Sequence, residues 1–118
     1  MLDKKTILQS DDLPKELVQV PQWGGEVWVR TLTGSERDEF EQSCMSTKKG
    51  KNKDVNLTNI RARLCVLCIC EEDGTRLFDA RDVDALGKKS ASALDTVFTV
   101  AQKLNGLGNQ DVEDLAKN

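Results

Sequence analysis

NIRARLCVLCIC, residues 59–70, is the segment around which the fold is expected to be organised, because nowhere else in the chain do apolar residues run so densely. Ile60, Leu64 and Leu67 recur at spacings of four and three, and Ala62, Val66 and Ile69 add a second apolar stripe beside them. That is helical periodicity. A helix that is apolar on most sides belongs inside a core, so a buried central helix over residues 58–72 is expected. A strand over residues 65–70 is the competing reading, since that run is short, apolar and partly β-branched. The lead-in of Arg61 and Arg63 and the overall length favour helix.

A chain of 118 residues with 38% hydrophobic content supplies one core and not two. A single domain over residues 17–118 is expected, preceded by a flexible N-terminal arm over residues 1–16. Pro14 disfavours a helix running through Leu13. Charged residues make up 31% of the chain, yet the net charge is only −3, which fits neither a general nucleic-acid binder nor an acidic disordered tail. The longest apolar run, residues 64–70, is far short of the roughly 20 residues of a membrane span. The N-terminus MLDKKTILQSDD lacks the apolar centre of a signal peptide, so neither a membrane nor export is expected.

Before the central stretch, Leu17-Val18-Gln19-Val20 and Glu26-Val27-Trp28-Val29-Arg30 both alternate apolar with polar residues around Gly24-Gly25. This predicts a β-hairpin over residues 17–31, with Trp28 on the face opposite Val27 and Val29. Thr33-Gly34-Ser35 offers N-cap residues, and Glu36, Asp38 and Glu39 place negative charge where a helix dipole favours it. A helix over 35–47 follows, with a narrow apolar stripe of Phe40, Cys44 and Met45. The polar, lysine-rich residues 48–56 read as a mobile loop, and Asn56 or Thr58 as caps for the central helix.

Beyond the Asp73-Gly74 turn, Asp79 and Asp82 form an approximate capping pair for a short helix over 80–87. Leu94, Val97, Phe98, Ala101 and Leu104 then give a clearly amphipathic helix over 90–105, closed by Asn105-Gly106. A last helix over 109–117 carries Val112 and Leu115. The expected class is α+β, mainly α: an N-terminal β-hairpin packed on a small helical bundle of three to five helices around a central buried helix.

The chemistry in this sequence is sparse. Cys65 and Cys68 have CxxC spacing, but on a helix Cys70 swings about 160° away from Cys68, so the three do not converge. Zinc wants a fourth ligand, and the chain has no histidine and only the distant Cys44. Buried structural thiols in a reducing compartment are expected, with no metal and no cofactor. There is also no general-base histidine, no phosphate loop and no nucleophile motif, so no enzyme is expected. The lysine run lacks the interleaved aromatic or arginine residues of a nucleic-acid groove. What remains is Trp23, Trp28 and Phe78, for which core packing is the favoured reading and a partner-binding surface the alternative, together with Val112 and Leu115 on the terminal helix as further partner-binding candidates.

Three segments carry a resemblance: VPQWGGEVWVRTLTGSERDEFE at 20–41, NIRARLCVLCICEEDGTRLF at 59–78 and DVDALGKKSASALDTVFTVAQKLNGL at 82–107. In this order they resemble the tail assembly chaperones of lambda-like long-tailed phages. The resemblance implies a non-enzymatic protein of the infected bacterial cytoplasm that binds the tape measure protein before the tail tube polymerises around it. Such a protein is expected to self-associate and to be absent from the virion. The resemblance further implies a longer form, made by programmed ribosomal frameshifting, whose extra part recruits the tail tube protein. Ala116-Lys117-Asn118 is encodable as GCA-AAA-AAC, which contains a slippery A-AAA-AAC heptamer. The alternatives are a small DNA-associated regulator and a structural head or tail component retained in the particle. Against the first, residues 91–104 carry one lysine and one aspartate, which is no basic recognition helix.

Overall fold

In the computed structural model, which describes residues 1–45 and 56–107, the chain runs α1 (Lys4–Gln9), β1 (Lys15–Val20), β2 (Gly25–Arg30), α2 (Gly34–Cys44), α3 (Ile60–Cys68), β3 (Ile69–Cys70), α4 (Val83–Leu86) and α5 (Ala91–Leu104). Single 3₁₀ turns lie at Pro21–Trp23 and Ala80–Asp82. The class is α+β, mainly α. The last expected helix, 109–117, and all but residue 56 of the expected loop 48–56 lie outside the described residues.

The sheet has the antiparallel order β1-β2-β3. Its inner face carries Val18, Val20, Val29 and Ile69, all buried, and α5 lies against β1 and β2 with Ala93, Leu94, Val97 and Ala101 turned inward. Between α5 and α2 runs α3, burying Ala62, Leu64, Cys65, Val66, Leu67 and Cys68. On this helix only Arg61 is exposed, while Arg63 is partly buried and Ile60 packs against the core from its edge, so the density of apolar residues is matched by burial on nearly every side.

The central helix is shorter than the expected 58–72, because the chain turns into strand at Ile69, φ −68° and ψ 126°. The cause is tertiary. Ile69 and Cys70 pair with Val29 and Trp28 on the otherwise free edge of β2, so the hairpin becomes a three-stranded sheet. A β-branched residue flanked by cysteines accepts either conformation, and the open edge decides. The turn also differs from a two-residue Gly-Gly hairpin loop. Pro21–Trp23 wind into a 3₁₀ turn closed by Gly24 at φ +76°, a left-handed conformation that costs glycine little, and Gly25 already belongs to β2. The N-terminal arm contains a helix that the sequence reading does not include: Asp3 caps α1 by accepting from Thr6 N at 2.8 Å. The strand after it starts at Lys15.

Caps and polar clamps complete the fold. Thr33 and Glu36 form a capping box at the start of α2, with Thr33 Oγ1 accepting from Glu36 N at 3.1 Å and Glu36 Oε1 from Thr33 N at 3.0 Å. Arg63 joins α2 to the turn before α3, donating to Ser43 O and Oγ, Asn56 O and Thr58 O. At the end of α5, Leu107 N donates to Gln102 O and Gly106 N to Lys103 O, with Gly106 at φ +64°. That is a Schellman stop, and the residue after the glycine, Leu107, inserts into the core, as frequently accompanies the motif.

Asn105 ties this stop to the rest of the molecule. Its Oδ1 accepts from Leu32 N at 2.7 Å, its Nδ2 donates to Ala101 O at 2.9 Å, and its backbone carbonyl accepts from Arg37 Nη1 at 2.9 Å. Asn105→Ala leaves the part-buried Leu32 N–H without its acceptor and is expected to cost about 2 kcal/mol. Urea unfolding checks this, as a lower midpoint at unchanged slope.

Candidate functional site

The five residues singled out for partner binding fall into three groups. Trp23 ends the 3₁₀ turn between β1 and β2, and Gln22 beside it donates from Nε2 to Ser92 Oγ at 2.9 Å, which holds the turn against the start of α5. Phe78 lies just before the second 3₁₀ turn. That turn is fixed by a capping box in which Asp79 Oδ1 accepts from Arg81 N and Asp82 Oδ2 accepts from Asp79 N, both at 2.8 Å. The hydrogen bond from Arg81 keeps the Asp79 carboxyl below the usual carboxylate range. Trp23 and Phe78 thereby meet across a cleft of about 480 Å³, which Gln22, Asp82, Ala85, Leu86 and Lys89 complete.

Trp28 does not reach this cleft. It projects from the outer face of the sheet, directly between Leu17 on β1 and Cys70 on β3. Residues paired across antiparallel strands share a face, so Leu17, Trp28 and Cys70 form one apolar row across all three strands. Leu17 is 41% exposed and Trp28 half-buried, while Lys15 Nζ stands 5.3 Å from the Trp28 ring centroid. Leu17 was not singled out from sequence, although its alternation with Val18 already places it on the tryptophan's face. Val112 and Leu115 lie outside the described residues.

The four cysteines are all free and buried. Burial pushes the Cys65 and Cys68 thiols up to about 12 and raises those of Cys44 and Cys70 as well. Among the described residues no three or more His, Cys, Asp or Glu side chains are grouped to hold a metal ion. No helix among them is long and apolar enough to cross a membrane. A thiol kept protonated and out of solvent is a poor nucleophile. Alkylation by iodoacetamide at neutral pH is therefore expected to leave all four unmodified in the folded protein and to label all four in guanidinium, with intact mass as the readout.

Among the described residues, the surface thus carries two apolar features, the Trp23–Phe78 cleft and the Leu17–Trp28 side of the sheet. No curated protein matches the sequence. The solved structure of the bacteriophage HK97 tail assembly chaperone superposes with a TM-score of 0.58 at 14% sequence identity, covering 85% of this chain and 94% of that one, which establishes a shared fold. The sequence itself matches the family described as phage tail assembly chaperone over residues 4–118. With nearly the whole chain matched and the fold shared, this chain belongs to the phage tail assembly chaperone family.

Proposed function

We propose that this chain binds the tape measure protein of its phage, keeps it soluble, and yields it to the tail tube as the tube polymerises. The observation that carries the reading is the row Leu17, Trp28 and Cys70 on the outer face of the sheet, in which Leu17 is exposed and Trp28 half-buried beside a buried Cys70. A long helical client exposes apolar stripes before a tube encloses it, and an amphipathic helix laid along such a row buries its stripe. A contact this small binds weakly. Weak sites repeated along one client add up through effective concentration, yet each releases singly. That is what a holding protein needs if advancing tube subunits are to displace it.

No bond-making step enters this function. It places the chain in the host bacterial cytoplasm during assembly and leaves it out of the finished virion, which mass spectrometry of purified particles checks. A longer frameshifted form would carry the tail tube protein to the same client. The test of client binding is co-purification of the tape measure protein with the tagged chain. Leu17→Glu with Trp28→Thr is expected to abolish capture while circular dichroism stays unchanged, and undiminished capture by this folded variant would remove the sheet face from the function.

A further inference from the structure

We infer that the open edge of β1 takes an extended segment of the client as a fourth strand, with an apolar side chain beside Leu17 and a carboxylate beside Lys15. This rests on the client binding proposed above and adds to it the chemistry of the segment bound. Thr31 N donates to Pro14 O at 3.0 Å, and these two residues extend the β1–β2 register by one pair. Hydrogen-bonded and non-hydrogen-bonded pairs alternate along an antiparallel ladder. Glu16, Val18 and Val20 therefore bond to β2, and the backbone N–H and C=O groups of Lys15, Leu17 and Gln19 point away from it. Those groups have no hydrogen-bond partner among the described residues.

The two edges of the sheet are unlike. Beyond β3 the chain folds back, with Leu77 N donating to Ile69 O at 3.1 Å and Glu71 N to Thr75 O at 2.8 Å, which covers that edge. No described residue covers β1 in this way. The strand runs for six residues, pairs one to one with β2 without a bulge, and has Pro14 and Pro21 just outside its two ends. Exposed edges are ordinarily blunted by short length, bulges, proline or a guarding lysine. Here the lysine, Lys15, is turned over the Trp28 ring, and Lys15, Leu17 and Gln19 are all exposed, so another backbone can reach the groups between them.

Charge selects the occupant. Lys15 stands directly opposite Arg30, a like charge, and has no ion pair among the described residues, whereas Arg30 has Glu36. Asp11, Asp12 and Asp73 line the hollow beside Lys15 and Arg30, yet none of them pairs with Lys15, and Asp73 Oδ1 is engaged by Thr75 N at 2.9 Å. A carboxylate opposite Lys15 on an added strand supplies the missing partner, since opposite charges across strands attract. An apolar residue two positions along then falls opposite Leu17 and lengthens the Leu17–Trp28–Cys70 row by one side chain. A second copy does not meet this requirement. Paired through the same backbone groups, its β1 presents Lys15, Leu17 and Gln19 on that face and no carboxylate. The helical stripe of the client lies on the face of the sheet, and the extended segment flanking it pairs along the edge.

Two exposed substitutions test this in co-purification of the tape measure protein with the tagged full chain. Gln19→Pro removes an N–H that faces away from β2, a position at which an edge strand tolerates proline, so circular dichroism and the urea midpoint are expected to stay as in wild type. Capture is expected to fall about tenfold or more, because a ladder bond is lost and the ring stands where the added strand would lie. Lys15→Glu gains an attraction to Arg30 within the fold but repels the client carboxylate, so it is expected to weaken capture by an amount that shrinks as salt is raised. Folded Gln19→Pro that captures the client as wild type does would overturn the proposal and leave client binding in place. If Gln19→Pro does not fold, undiminished capture by Lys15→Glu overturns it instead. Gln19→Pro that changes the sedimentation of the chain alone at unchanged capture gives the edge to a second copy, which likewise overturns it. A wild-type chain that captures nothing removes the client reading and this inference with it.

Discussion

Glu36→Ala is expected to lower stability by about 3–5 kcal/mol, because it strands a buried positive charge. Glu36 accepts from Arg30 Nη1 and Nη2 at 2.9 Å each, and Arg76 Nη1 stands 3.6 Å from its second oxygen. The Arg30 side chain is 6% exposed, and its Nε has no hydrogen-bond partner among the described residues, so no spare acceptor takes over. The same substitution opens the capping box at the start of α2. Against the 5–15 kcal/mol typical of a domain, this is a large fraction of the total. Replacing both partners by apolar residues, Arg30→Met with Glu36→Leu, is expected to recover much of the loss, since it removes the desolvation cost as well as the attraction. Urea denaturation of the three proteins checks both statements.

The pair also sets an acid limb. Burial works against ionisation of Glu36, but the hydrogen bonds from Arg30 and the Thr33 backbone, with the charges of Arg30 and Arg76, outweigh it and hold the carboxyl below its ordinary value of 4.5. A depressed carboxylate contributes stability that is complete above 4.5 and is lost as pH falls through the folded value. Glu36→Gln lacks this proton linkage. Its stability is therefore expected to fall less steeply than that of wild type below pH 4.5.

Phe40→Ala is the second large loss, expected at about 3–5 kcal/mol. Besides Glu36 and Cys44, Phe40 is what α2 buries, and it is 1% exposed against α3. Removing the ring leaves a cavity that the rigid α3 side chains do not close, and α2 keeps little to hold it on the core. A drop in the thermal midpoint of roughly 10 °C or more corresponds to this loss in a domain of this size. Phe40→Leu, which keeps most of the volume, is expected to cost distinctly less.

How far sequence led depended on the range of the deciding interaction. The class was legible, since the helical spacing at residues 59–70 and 94–104 and the alternation around Gly24-Gly25 are local patterns. The end of α3 was not, because Cys68, Ile69 and Cys70 suit helix and strand alike, and only the edge of β2 selects strand. The helix α1 left no periodic signal, as it faces no core of its own. Asn105 looked like a helix stop and no more, since its acceptor role toward Leu32 N spans most of the chain. For the surfaces, composition marked Trp23, Trp28 and Phe78, but that Trp23 and Phe78 share a cleft while Trp28 sits in a row with Leu17 follows from packing and strand register.

The proposed function is tested most directly by the fraction of tape measure protein that remains in the supernatant when it is expressed with and without this chain. Co-expression is expected to move most of it from the pellet to the soluble fraction, in a complex that elutes with the chaperone. Tape measure protein that stays equally insoluble in the presence of the folded chain would contradict that function.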